Sequence, residues 1–109
     1  PLFEIHGTVD KVSEWDGDPD NKGGWGAYLP VPDAVNYWVE RNGCRRECVD
    51  TLPQRGEKSH MTIAHRYTDS KKGKDVWLYE VIGAGHSWFN EDMDTAEEIW
   101  KFFNQYISR

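Results

Sequence analysis

At 109 residues, 38% apolar and 29% charged, the chain is sized for one modest domain with a single core. A formal charge of -6 argues against a nucleic-acid partner, because phosphate binding relies on clustered Lys and Arg. No run approaches the roughly 20 apolar residues of a membrane helix, so the expectation is a soluble domain with no membrane partner.

The run LFEI at 2–5, ended by His6-Gly7, has the continuous apolar look of a buried parallel strand. Residues 8–32 are rich in Asp, Gly, Pro and Trp and show no periodicity; loops of that length are usually functional. Asp16, Asp18 and Asp20 alternate as in calcium loops. The sixth and twelfth positions of that template want Gly and Glu but hold Asn21 and Ala27, so the reading is a solvated turn and no metal. Pro32-Asp33 opens a helix carrying Ala34, Val35, Trp38 and Val39 at helical spacing, and Gly43 stops it.

Cys44 and Cys48 follow; a local bridge, a bridge to another cysteine and free thiols all stay open. Residues 49–60 read as polar and irregular. MTIAHRY at 61–67 and VWLYEVI at 76–82 form a hairpin around the basic turn SKKGK at 70–74. Asp94 or Thr95 caps a last helix with Ile99, Trp100, Phe102, Phe103 and Tyr106 on one broad face. The order β-α-β-β-α predicts an α/β fold, a parallel sheet with covering helices.

Chemistry gathers past two strand ends. Asp10 lies just beyond LFEI, and His86, in GAGHSWF, just beyond VWLYEVI. If those strands run parallel, both loops leave the same carboxyl edge, where ligands of open α/β sheets bind. Glycines there let a histidine project from the rim. An Asp accepting from one ring nitrogen fixes the tautomer and leaves the other nitrogen to take a proton from a hydroxyl.

The other histidines read as bland. His6 reads as structural, bonded to loop backbone, and His60 and His65, five apart, point to opposite strand faces and make no metal pair. Trp38, Trp77 and Trp100 fall within elements and are expected in the core. Trp15, Trp25 and Trp88 fall in loops beside the candidate residues, where rings could wall a binding site or simply fill space under the loop.

Taken in order, HGTVD, VPDAVNYWVERNGC, VWLYEVIGAGHSWF and AEEIWKFF resemble the C-terminal part of α/β-hydrolase serine esterases, nearest the feruloyl esterase and polyhydroxybutyrate depolymerase group. The resemblance implies that residues 1–109 are the C-terminal part of a single α/β-hydrolase domain, with triad acid Asp10 and triad base His86. It implies ester hydrolysis on feruloyl or acetyl groups of plant polysaccharide, or on hydroxyalkanoates, without a cofactor, in a secreted or periplasmic protein. Substrate contacts would fall to Trp88, Trp15 and Trp25.

The family's nucleophile sits in a G-x-S-x-G elbow. None of Ser13, Ser59, Ser70, Ser87 or Ser108 lies in one. The nucleophile is therefore expected from a missing N-terminal part or a second chain, with this segment inactive and association-prone on its own. The alternatives are a serine peptidase of the same fold and a non-catalytic carbohydrate-binding relic.

Overall fold

The computed structural model describes residues 1–24 and 26–107. Its elements are β1 (Leu2–Gly7), α1 (Val31–Asn42), β2 (Cys44–Thr51), β3 (Met61–Ser70), β4 (Val76–Ile82) and α2 (Thr95–Ile107). The fold is α/β: one four-stranded sheet in the order β1-β4-β3-β2, with two helices.

β4 anchors the core because both of its faces are covered. Val76 and Leu78 meet Val31 and Val35 of α1 on one face. Tyr79 and Val81 meet Ala64, Phe89 and Met93 on the other. Beyond them Phe102 of α2, fully buried, sets its ring 5.3 Å from Phe3 and 5.1 Å from Trp77. This two-sided burial explains why VWLYEVI reads as an unbroken apolar run.

Helix ends follow the expected chemistry. Gly43 adopts φ 66° and gives its N–H to the last-turn carbonyls of α1. Asp94 accepts the Glu97 amide at 3.1 Å as the cap of α2.

The structure corrects the expected order in two ways. Residues 44–51 are a strand, not helix end and irregular coil, so the order is β-α-β-β-β-α. CRRECVDT is exposed along nearly its whole length, so burial imposes no alternation on it, while its backbone still pairs antiparallel with β3. The sheet is also mixed: β1 runs parallel to β4, whereas β3 runs antiparallel to both its neighbours.

Two tryptophans expected in the core stand largely outside it, Trp38 at 41% and Trp100 at 57% exposure. Each helix carries a wider apolar stripe than this sheet covers. Cys44 and Cys48 are free; four residues apart on an extended strand, they lie about 13 Å from each other, beyond the reach of a bridge.

Candidate active site

The parallel pairing of β1 with β4 brings both strand-end loops to one edge of the sheet. Backbone bonds then fasten the two loops together. Thr8 N–H reaches the Val81 carbonyl at 3.1 Å, and Val9 N–H reaches that of Ala84 at 3.0 Å. Gly83 N–H returns to the Thr8 hydroxyl at 2.8 Å, and Gly83 itself takes φ 82° at the turn.

Gly7 makes this approach possible. A Cβ there would stand 2.2 Å from the Ala84 carbonyl oxygen and 2.6 Å from that of Gly85. The strand end can therefore carry nothing larger than hydrogen without pushing the His86 loop away.

Asp10 is buried and His86 is not: their side chains are 4% and 62% exposed. Asp10 Oδ1 accepts the amides of Val12 at 2.8 Å and Ser13 at 2.9 Å. Oδ2 accepts from His86 Nδ1 at 2.8 Å. Because an ionised carboxylate only accepts, the proton sits on Nδ1 and Nε2 is left to the solvent side. Burial pushes the Asp10 carboxyl up, but the Ser13 amide, the His86 ring and the Val12 amide together outweigh it and hold it below its ordinary value. The pair can therefore fix one tautomer, orient the ring, and stabilise the imidazolium once Nε2 has taken a proton.

Trp88 stands at the lip beside His86, 83% exposed. It divides two clefts. The more polar one, about 430 Å³, is lined by His60, His86, Asn90 and Glu91. The more apolar one, about 350 Å³, is lined by Phe3, Ile5, Ile99 and Phe103. Trp15 lies elsewhere, packed into the cluster under α1 with its ring 6.0 Å from His6. Trp25 lies outside the described residues. Ser87, the serine nearest His86 in sequence, accepts the Phe89 amide at 2.8 Å through its hydroxyl.

Two further histidines have partners that spacing did not reveal. His60 bonds buried Asp92 through Nδ1 at 2.8 Å and through its amide. The two are 32 positions apart, so no local pattern joins them. His65 meets Glu80 of β4 at 2.9 Å. His6 does bond loop backbone, as expected, but also bonds Glu4. Asp18 spends its two oxygens on the Lys22 and Gly23 amides, both at 2.8 Å, which closes the acidic turn on itself.

Compared with protein-family models, with curated proteins and with solved structures, the chain finds no significant match.

Proposed function

We propose that this chain supplies the acid and the base of a Ser-His-Asp triad in a carboxylic ester hydrolase of the α/β-hydrolase type, similar to feruloyl esterases and polyhydroxybutyrate depolymerases. The observation that carries this is the 2.8 Å bond from His86 Nδ1 to a buried Asp10 whose other oxygen is filled by two amides. The parallel β1–β4 pairing sets this pair at the carboxyl edge of the sheet, with the imidazole exposed and the carboxylate buried.

In this reading His86 Nε2 removes the proton of a serine hydroxyl as the serine attacks the ester carbonyl. Asp10 stays ionised and supports the imidazolium. The same proton then passes to the leaving alcohol, and water repeats the cycle on the acyl-enzyme. Trp88 offers its face to the acyl or sugar portion of a feruloyl, acetyl or hydroxyalkanoate ester. The serine and its oxyanion donors come from a part of the enzyme that pairs with the open edge of β1. The enzyme is a secreted or periplasmic protein.

The test is mass analysis of the native protein after treatment with a fluorophosphonate, followed by ester assays. A label on a longer form or on a co-purifying chain, lost in His86→Gln, supports the proposal. Asp10→Asn then lowers kcat on the order of 10⁴-fold without unfolding the protein. A loss below tenfold removes Asp10 from the mechanism. Sugar affinity that survives His86→Ala in a protein with no hydrolytic activity would replace this reading with carbohydrate binding.

A further inference from the structure

The pair at the sheet edge is not isolated. Behind Asp10 lies His6, buried at 7% exposure at the end of β1. Its Nδ1 meets Glu4 Oε1 at 3.0 Å, and its Nε2 meets the Ser13 carbonyl oxygen at 2.6 Å. A carbonyl oxygen can only accept, and so can an ionised carboxylate. Two acceptors on one imidazole require two N–H donors. The neutral ring has just one, so this environment fits the cation.

That cation would sit beside the carboxylate that holds His86. His6 Nε2 is 3.8 Å from Asp10 Oδ2, the oxygen that accepts from His86 Nδ1. Both rings meet one oxygen, so the two nitrogens are no more than about 7 Å apart.

We propose that His6 is a positioning residue of this site: a standing imidazolium, held by Glu4 and Ser13, whose charge acts through the shared Asp10 carboxylate to keep His86 in its proton-accepting form. A carboxylate already shared with one cation stabilises a second one less. The catalytic value of this coupling rests on His86 acting as the base proposed above; the coupling itself does not.

The surroundings agree. The Glu4 bond is the largest influence on His6 and raises its pKa, burial opposes it, and the Ser13 carbonyl and the charges of Glu4 and Asp10 add to the rise. On β4 the register partner of His6 is Glu80, which is engaged with His65 of β3. From α1, apolar Val31, Val35 and Trp38 line the groove beside His6. Trp15 approaches edge-on from the loop. Among the described residues, the charges that meet the ring are thus Glu4 and Asp10, both negative.

Histidine-selective ¹⁵N labelling of the intact protein tests this, with resonances assigned from single His→Gln variants. At pH 7.5 both ring nitrogens of His6 should carry protons; a singly protonated His6 at that pH overturns the proposal. In His6→Gln the titration midpoint of His86 should rise by about 0.5–1.5 pH units, as expected for losing a cation at this separation. A midpoint that stays within about 0.2 units, or falls, also overturns it.

Glu4→Gln guards against a His6 variant that fails to fold. It keeps the ring but loosens its second proton. The His6 midpoint should fall toward the ordinary 6.5, and His86 should rise by a smaller amount than in His6→Gln. An unmoved His6 rejects the role of Glu4 and with it the standing charge. Every readout is a proton on an imidazole, so a protein that shows the coupling yet hydrolyses no ester would sink the esterase reading alone.

Discussion

The two edges of the sheet are built differently. β2 is exposed along seven of its eight residues and carries Arg45, Arg46, Glu47 and Asp50, with Arg45 paired to Asp69 at 3.0 Å. Charge of that kind keeps an edge from recruiting another strand. β1 carries Leu2, Phe3 and Ile5 at intermediate burial, and apolar side chains flank it on both faces. On one face are Ile99, Phe103 and Trp88; on the other are Leu29 and Trp38. β1 has the composition of an inner strand and the position of an outer one. An edge is recognised by how it is defended, and only β2 is defended.

The comparison makes its largest prediction about association. The isolated chain should associate through β1, because a strand with one open edge between two uncovered apolar flanks favours contact. The double variant Trp38→Lys/Ile99→Lys changes both flanks and leaves the strand pairing intact. It should weaken association at least about a hundredfold, roughly 2.7 kcal/mol, as read by sedimentation velocity. Val49→Lys, at a 54% exposed position of β2, should leave it unchanged. An isolated chain that sediments as a monomer, or an equal response to both changes, would erase the distinction between the edges.

The inner side of β1 gives the next effect. There the strand is fastened to β4, and Gly7 is the point of closest approach. Gly7→Ala should cost about 1–3 kcal/mol in chemical denaturation, since the intruding methyl meets backbone that cannot fold away. It should also lengthen the Asp10–His86 bond, seen as a weaker low-field signal of the His86 Nδ1 proton. A variant with wild-type stability and an unchanged signal would mean that the loops are held by something other than this contact.

These contrasts also show what could be read in the sequence. The Asp10–His86 pairing was legible because each residue follows an apolar run and parallel strands deliver their ends to one edge. The β3–β4 hairpin and both helices were legible because each buries a face. β2 was not, since a strand with no buried face carries no period. The exposure of Trp38 and Trp100 was hidden for a related reason: periodicity reports which face of a helix is apolar, not how much sheet lies beneath it. His60–Asp92 depends on tertiary placement, which spacing does not encode; Glu4 and His6, two apart on a strand, share a face by spacing, but whether they meet depends on rotamer. Only the Gly in HGTVD hinted that the strand end had to stay small.

The smallest effect separates the edges by pH. Near β1, His6 has a native pKa above its free value of 6.5, with the Glu4 bond as the first cause. A group of this sign adds stability that is fully present below pH 6.5 and disappears as pH rises through the native value. Asp10 has the opposite sign, because its native pKa lies below 3.8; its contribution holds above that value and fades as pH falls through the native one. Glu4 is 39% exposed, so solvent screens the pair and the His6 contribution should not exceed about 1 kcal/mol. Subtracting Glu4→Gln from the wild type in urea melts between pH 5 and pH 9 should give a difference that is positive on the acid side and decays toward the alkaline side. Val49→Lys should give a flat difference within about 0.5 kcal/mol. If the Glu4→Gln difference were equally flat, His6 would fold with a single proton, and the buried end of β1 would carry no standing imidazolium.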